Sequence, residues 1–366
     1  MSSAPKRPLT SSDRRPPRGR LGGLTAAGAL ALAACAPAPL PLYTESTPPM
    51  VLTTSAAAGV RDLRGAYRAA LCRRLEAAGQ SCQEVLRRLP GEPPEAAAAP
   101  VPISALAGRY RVAFVPGLLA ECVRTIVTPF SDVVESLAAS GVDARLLPVG
   151  GRGSTTENAE GLARQLATLP DDPRPFIVVA YSKGLLDMLQ MVVSRPEAAA
   201  RVAAVLSVAG ASNGSPLADR FDAEYRRWIA TLPLRDCHQG TGQEITDLHR
   251  DVRLEWWRRH GDAVSVPIFA LVTTPRRERV SPLLRPAYLA LARVEPRNDG
   301  HLLWYDQIPP RAHLLGYLDA DHWTVATPFS RELPLAGALF HDVVPRAMVV
   351  EAALEVITRV LGNSAR

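Results

Sequence analysis

The 366-residue sequence predicts an α/β fold: a mostly parallel sheet with helices on both faces and a helical cap insertion, preceded by a small helical pair. Two observations predict it. From about residue 105 onward, short apolar runs alternate with segments of helical spacing, and the runs are apolar on both faces, as strands of a covered parallel sheet are. One long interval, 211–262, breaks that rhythm with polar and aromatic residues and no convincing strand. At 47% hydrophobic residues the chain has material for one large or two ordinary domains, and five cysteines exclude a disulfide-dense miniature. Most of the net charge of +6 lies ahead of this part. Lys6, Arg7, Arg14, Arg15, Arg18 and Arg20 against Asp13 leave +5 in residues 1–34, and the remainder carries +1. No clustered basic surface for nucleic acid is therefore expected on the folded part.

In chain order, Leu21 to Ala34 is an uncharged run of 14 residues behind an Arg-rich stretch, too short to cross a bilayer and right for the apolar region of a signal peptide. It ends in Leu32-Ala33-Ala34-Cys35, which resembles the lipobox of bacterial lipoproteins. That resemblance implies a leader over 1–34, lipidation of Cys35, and anchoring to the cell envelope on its periplasmic or extracellular face. The alternative is an ordinary secretory signal cut at a small-residue site. Residues 35–58 then read as a Pro-rich tether, 59–90 as the helical pair, and 91–104 as a second linker of Pro and Ala. No later stretch reaches 18 uncharged apolar residues. Export leaves Cys72, Cys82, Cys122 and Cys237, which admit three pairings. A helix, a break at Gly79-Gln80-Ser81 and a return favour Cys72 with Cys82, hence Cys122 with Cys237; buried free thiols are the alternative. A metal site is not expected, because Cys237-His238 is the only close Cys/His pair and adjacent side chains diverge.

Within residues 105–366 the expected strands are Tyr110 to Val115, Ala144 to Val149, Phe176 to Ala180, Ala203 to Val208, Pro267 to Val272 and His313 to Leu318. Helical spacing marks Asn158 to Leu169 and Leu185 to Val193. The interval from Ala209 to Ala263, with Phe221, Tyr225, Trp228, Trp256 and Trp257, reads either as a cap beside a site or as plain helical packing.

The chemistry concentrates where the third of these strands ends. Tyr181-Ser182-Lys183-Gly184 puts a serine between a buried strand and a helix, with small residues two before and two after it. A nucleophile elbow needs this arrangement: the turn is too tight for bulk at Ala180 and Gly184, and it lifts the hydroxyl over the sheet edge. Ala180 stands where Gly is usual, which makes the pattern A-x-S-x-G. Lys183 is the only lysine outside the leader; as a side chain it reads either as a specific buried charge or as a surface cation at a helix start. Its backbone N–H is placed to serve an oxyanion hole, with the N–H of Leu118 after Pro116-Gly117 as the second donor. A serine needs an imidazole base held by a carboxylate. His322, in the loop after the last strand, is the expected base, with His301 and His313 as competitors. Asp299, on the turn Arg297-Asn298-Asp299-Gly300, is the expected acid, with Asp306 and Asp319 as alternatives.

The elbow, Val115-Pro116-Gly117-Leu118, Asn298-Asp299-Gly300 and Asp321-His322-Trp323 together resemble the α/β-hydrolase superfamily in its lipase and esterase branch, over about residues 105–362. The chain is also similar to uncharacterised bacterial exported lipoprotein hydrolases with Tyr-Ser-Lys-Gly, Gly-Ser-Pro-Leu-Ala-Asp and Asn-Asp-Gly in this order. The resemblance implies a serine hydrolase with the chain order Ser182, Asp299, His322, acting on small-molecule or lipid esters through an acyl-enzyme. It implies no metal or organic cofactor. The segment Ala209 to Asp219 is expected to line the site or to turn into the cap. An acyltransferase on the same residues, and a surface lipoprotein that binds a ligand without turnover, are the other functions the sequence admits.

Overall fold

The computed structural model describes residues 59–95, 99–233, 237–335 and 339–364. The leader, Cys35 and the tether lie outside the described residues. Eight strands form one sheet: β1 Arg61–Asp62, β2 Leu86–Arg87, β3 Arg111–Val115, β4 Ala144–Leu146, β5 Phe176–Tyr181, β6 Val202–Val208, β7 Ile268–Thr273 and β8 His313–Leu318. Their order is β1-β8-β7-β6-β5-β3-β4, every neighbour parallel, with β2 added antiparallel to β8. Pairing of Tyr181 with Val208 and of Thr273 with Leu318 brings the C-terminal ends of four central strands level. In open parallel sheets that edge is where ligands bind.

Side chains alternate across each strand, so one sheet feeds two cores. Val112 and Phe114 of β3 join Ile177, Leu206 and Leu271 on one face, under the helices Arg64–Ala77, Ser131–Ala139 and Arg346–Ser364. Ala113 and Val115 join Val178, Ala180 and Val205 on the other, under Thr155–Thr168 and Gly184–Ser194. Thr155–Thr168 starts three residues before the expected Asn158, because Ser154 and Glu157 form a reciprocal capping box.

The N-terminal segment differs from the expected helical pair. Arg64–Ala77 is its one α-helix among the described residues; Cys82–Glu84 is a single 3-10 turn. The chain stops being helical at Gly79, whose φ is +70°, and the disulfide Cys72–Cys82 pins the return close enough for Leu86–Arg87 to pair with β8. Tyr67, Leu71 and Leu75 lie in the same core as Phe114, so residues 59–90 are built into the sheet domain. Nor is 91–95 a free linker. Glu92 pairs with buried Arg68, and a Cβ on Gly65 would lie 2.1 Å from the Pro94 carbonyl oxygen. The cap interval holds Pro216–Glu224, which runs on into a π-helical turn at Tyr225–Ile229, then Gln243–Thr246 and Arg250–His260, and no strand among its described residues. No described helix is long and apolar enough to cross a membrane.

Candidate active site

At the end of β5 the backbone turns sharply: Ser182 has φ +53°, and the helix Gly184–Ser194 begins two residues on. A left-handed conformation at a non-glycine residue costs on the order of 1–3 kcal/mol and persists only where packing enforces it. The packing is visible. A Cβ on Gly184 would lie 2.4 Å from the Pro116 carbonyl oxygen, and one on Gly117 would lie 2.8 Å from Ser182 Cβ. The turn after β3 therefore abuts the serine, and bulk at either glycine would push the two apart.

Ser182 Oγ lies 2.9 Å from His322 Nε2, and His322 Nδ1 lies 2.8 Å from Asp299 Oδ2. Each member is held by its own element. The loop after β8 is fixed by Asp321, which accepts the N–H groups of Ser281, Trp323 and Thr324. His322 donates its own N–H to the Asp299 carbonyl at 2.9 Å, and its carbonyl accepts the Tyr181 hydroxyl at 2.6 Å. Asp299 Oδ2 also accepts the Thr273 hydroxyl at 2.6 Å, and Oδ1 accepts the N–H groups of His301 and Leu302. Burial alone would push the Asp299 carboxyl up. The charge and hydrogen bond of His322, with Thr273 and the Leu302 N–H, outweigh burial and hold it below the ordinary aspartate value.

Of the alternatives raised by the sequence, Asp306 pairs with Arg250 at 2.8 Å and Asp319 accepts the Arg276 N–H at 2.6 Å. His313 stacks on Phe269 within the sheet. His301 stacks on His322, ring centres 4.6 Å apart, and burial, followed by the His322 charge, lowers it to about 3, so it is a neutral ring beside the imidazole. Lys183 is buried, not a surface cation: its ammonium donates to Asp187 at 2.7 Å. Leu118 lines the cleft above Ser182, and neither its N–H nor that of Lys183 has another partner among the described residues. Both favoured disulfides are formed, and Cys122–Cys237 ties the turn after β3 to the cap. Sequence reasoning missed Thr273 and Tyr181; their placement at the C-terminal ends of β7 and β5 was the available signal.

Over Ser182 opens a cleft of about 600 Å³. Its walls are apolar: Leu118, Val123 and Ile126 from the turn after β3, Leu217, Phe221 and Ile229 from the cap. Ala211, Ser215 and Ala218 also line it, so the segment after β6 borders the site. Among the described residues, Asp219, His249 and Asp251 bring ligand atoms within 4.8 Å of one another on the cap. None of the three lines the cleft, and Asp219 already accepts the Arg250 N–H.

A parallel sheet covered on both faces, with a serine on a tight strand-to-helix turn at its C-terminal edge, defines an α/β-hydrolase. No family model and no curated protein matches the chain. Among solved structures, the metagenomic carboxyl esterase MGS0156 is 35% identical with a TM-score of 0.80, covering 85% of this chain and 96% of that one. The chain belongs to this family of carboxylesterases and lipases with the α/β-hydrolase fold. A Bacillus licheniformis lipase in its mature form is 20% identical over 62% of this chain and 88% of its own, TM-score 0.49. Lipase 1 from Pelosinus fermentans is 13% identical over 69% and 98%, TM-score 0.45. The first likeness supports an ester hydrolase of the α/β-hydrolase type.

Proposed function

We propose that the protein hydrolyses carboxylic esters through an acyl-enzyme on Ser182, with His322 as general base and acid and Asp299 as its orienting carboxylate. The observation that carries this reading is the hydrogen-bonded line from Ser182 Oγ through His322 to Asp299, 2.9 and 2.8 Å, on the floor of an apolar cleft. His322 Nε2 takes the Ser182 proton as Oγ attacks the ester carbonyl carbon. The N–H groups of Leu118 and Lys183 receive the oxyanion, where losing one donor typically costs about 10²- to 10³-fold in kcat. His322 passes its proton to the leaving alkoxide oxygen and the alcohol departs. Water, deprotonated by the same imidazole, then attacks the acyl-serine, and the carboxylic acid leaves as Ser182 regains its proton.

The cleft walls favour esters with an apolar group, whether small molecules or lipids. The leader supports export and anchoring through lipidated Cys35. Wild type should sediment with membranes and Cys35→Ser should not; soluble wild type would contradict the anchor. For the chemistry, wild type should hydrolyse 4-nitrophenyl butanoate and decanoate, and Ser182→Ala and His322→Ala should each lose on the order of 10⁴-fold in kcat. Activity of Ser182→Ala within about tenfold of wild type overturns the reading.

A further inference from the structure

The chain has two lysines beside forty arginines, and one follows the elbow serine directly. The structure buries it. Lys183 is 1% exposed, and its Nζ donates to Asp187 Oδ1, one turn along the same helix, at 2.7 Å. Asp187 is buried as deeply, and its Oδ2 accepts from Asn158 Nδ2 at 2.9 Å. The Asn158 amide also grips the loop after β4. Its Oδ1 accepts the Gly150 N–H at 2.9 Å and its Nδ2 donates to the Gly150 carbonyl at 3.1 Å. A Cβ on Gly153 would fall 2.5 Å from Asn158 Oδ1, so the loop closes on the amide with no room to spare. Gly151, the residue after Gly150, accepts the Leu119 N–H at 2.7 Å and donates its own N–H to Glu121 Oε2 at 2.9 Å.

A path of polar contacts, carried over one step by the Gly150–Gly151 peptide, thus runs from the residue after Ser182 to the residue after Leu118. An ammonium and a carboxylate buried together are weak stabilisers, because desolvation of both offsets their attraction. What the pair supplies here is a fixed geometry. The two oxyanion donors come from separate segments, one after β3 and one after β5, and neither segment alone sets their spacing. A hole works only when both donors lie within hydrogen-bond reach of the same developing oxygen. None of Lys183, Asp187 and Asn158 is among the residues that line the cleft.

We propose that the Lys183 ammonium, Asp187 and Asn158 are positioning residues that lock the elbow to the Gly150–Gly153 loop and, through Leu119, fix the two oxyanion donors relative to each other. The inference rests on the ester-hydrolase reading above. It predicts an effect on the transition state and not merely on folding.

The test compares 4-nitrophenyl butanoate with its thiono analogue, whose developing charge falls on sulfur, a larger and weaker acceptor. The ratio of the two kcat/KM values reports the hole and does not depend on how much of a variant is folded. Two variants are used: Asn158→Ala, which cuts the path but leaves the ion pair, and Lys183→Met with Asp187→Leu, which removes both charges and strands neither. In each, kcat for the oxygen ester is expected to fall about 10- to 100-fold with KM within about threefold, and the oxygen-to-sulfur ratio to fall about tenfold. A ratio unchanged in both variants, whatever their thermal stability, reduces the network to structural packing and overturns the proposal. Wild type with no preference for the oxygen ester, alongside inactive Ser182→Ala, overturns it by removing the hole while the nucleophile stands. Active Ser182→Ala instead fails the ester-hydrolase reading itself.

Discussion

Asp299 and Asp306 stand seven residues apart, both fully buried, and their surroundings give them opposite characters. Asp299 receives the Thr273 hydroxyl, two backbone N–H groups and the His322 imidazole, and these hold it ionised below the ordinary range despite burial. Asp306 receives Arg250 at one oxygen, while Oδ2 has no hydrogen-bond partner among the described residues. Burial then wins over the attraction of Arg250 and raises Asp306 to about 7. Depth is the same; the number of donors is not. A carboxylate that must stay charged beside an imidazolium needs those donors, whereas one that pairs a single guanidinium can take up a proton.

The largest effect that separates the two aspartates is on turnover. Asp299→Asn should lower kcat on the order of 10³- to 10⁴-fold, and Asp306→Asn less than about tenfold, in the same ester assay. Equal losses would erase the contrast. A smaller effect comes from the donor shell: Thr273→Val should cost about tenfold or less in kcat/KM near neutral pH. Because Thr273 helps keep Asp299 low, its removal raises that carboxyl, so the acid limb of the pH profile should move to higher pH.

Stability against pH sharpens the other side. Asp306 is raised on folding, from an ordinary value near 4 in the unfolded chain, so the folded state binds the extra proton. Its contribution is fully present below about 4 and is lost as pH rises through about 7. Thermal midpoints of wild type and Asp306→Asn should therefore shift in favour of the variant across that window and run parallel above it. The smallest effect is expected for Arg250→Met with Asp306→Leu, within about 1 kcal/mol of wild type in denaturant titration, since removing both charges also removes their desolvation cost.

The contrast also shows what the sequence made legible. Five of the apolar runs match β3, β5, β6, β7 and β8 to within one residue at their ends, because burial on both faces leaves a continuous apolar signature, whereas the run Ala144 to Val149 overshoots β4, which is three half-buried residues at the sheet's edge. Ser182, Asp299 and His322 were readable from their places after strands, and the structure brings them together. Asp306 and Asp319 could not be set aside from sequence, because donors such as Thr273 and Arg250 come from positions 26 and 56 residues away. Arg61–Asp62 and Leu86–Arg87 were missed as strands, since two residues carry no periodicity and their pairing depends on β8. Lys183 announced itself by composition alone. Its reach to Asp187 is a local contact one helical turn away, whereas the step from Asp187 to Asn158 on another helix is a tertiary fact.

The proposed mechanism stands or falls on the activation of Ser182 by His322. Covalent labelling of the purified protein with a fluorophosphonate probe, with the adduct located by peptide mass spectrometry, reads that activation directly. Wild type should carry one modified residue, Ser182, with labelling sharply slowed in His322→Ala and absent in Ser182→Ala. Folded wild type that takes up no probe, or takes it up at another residue, would contradict it.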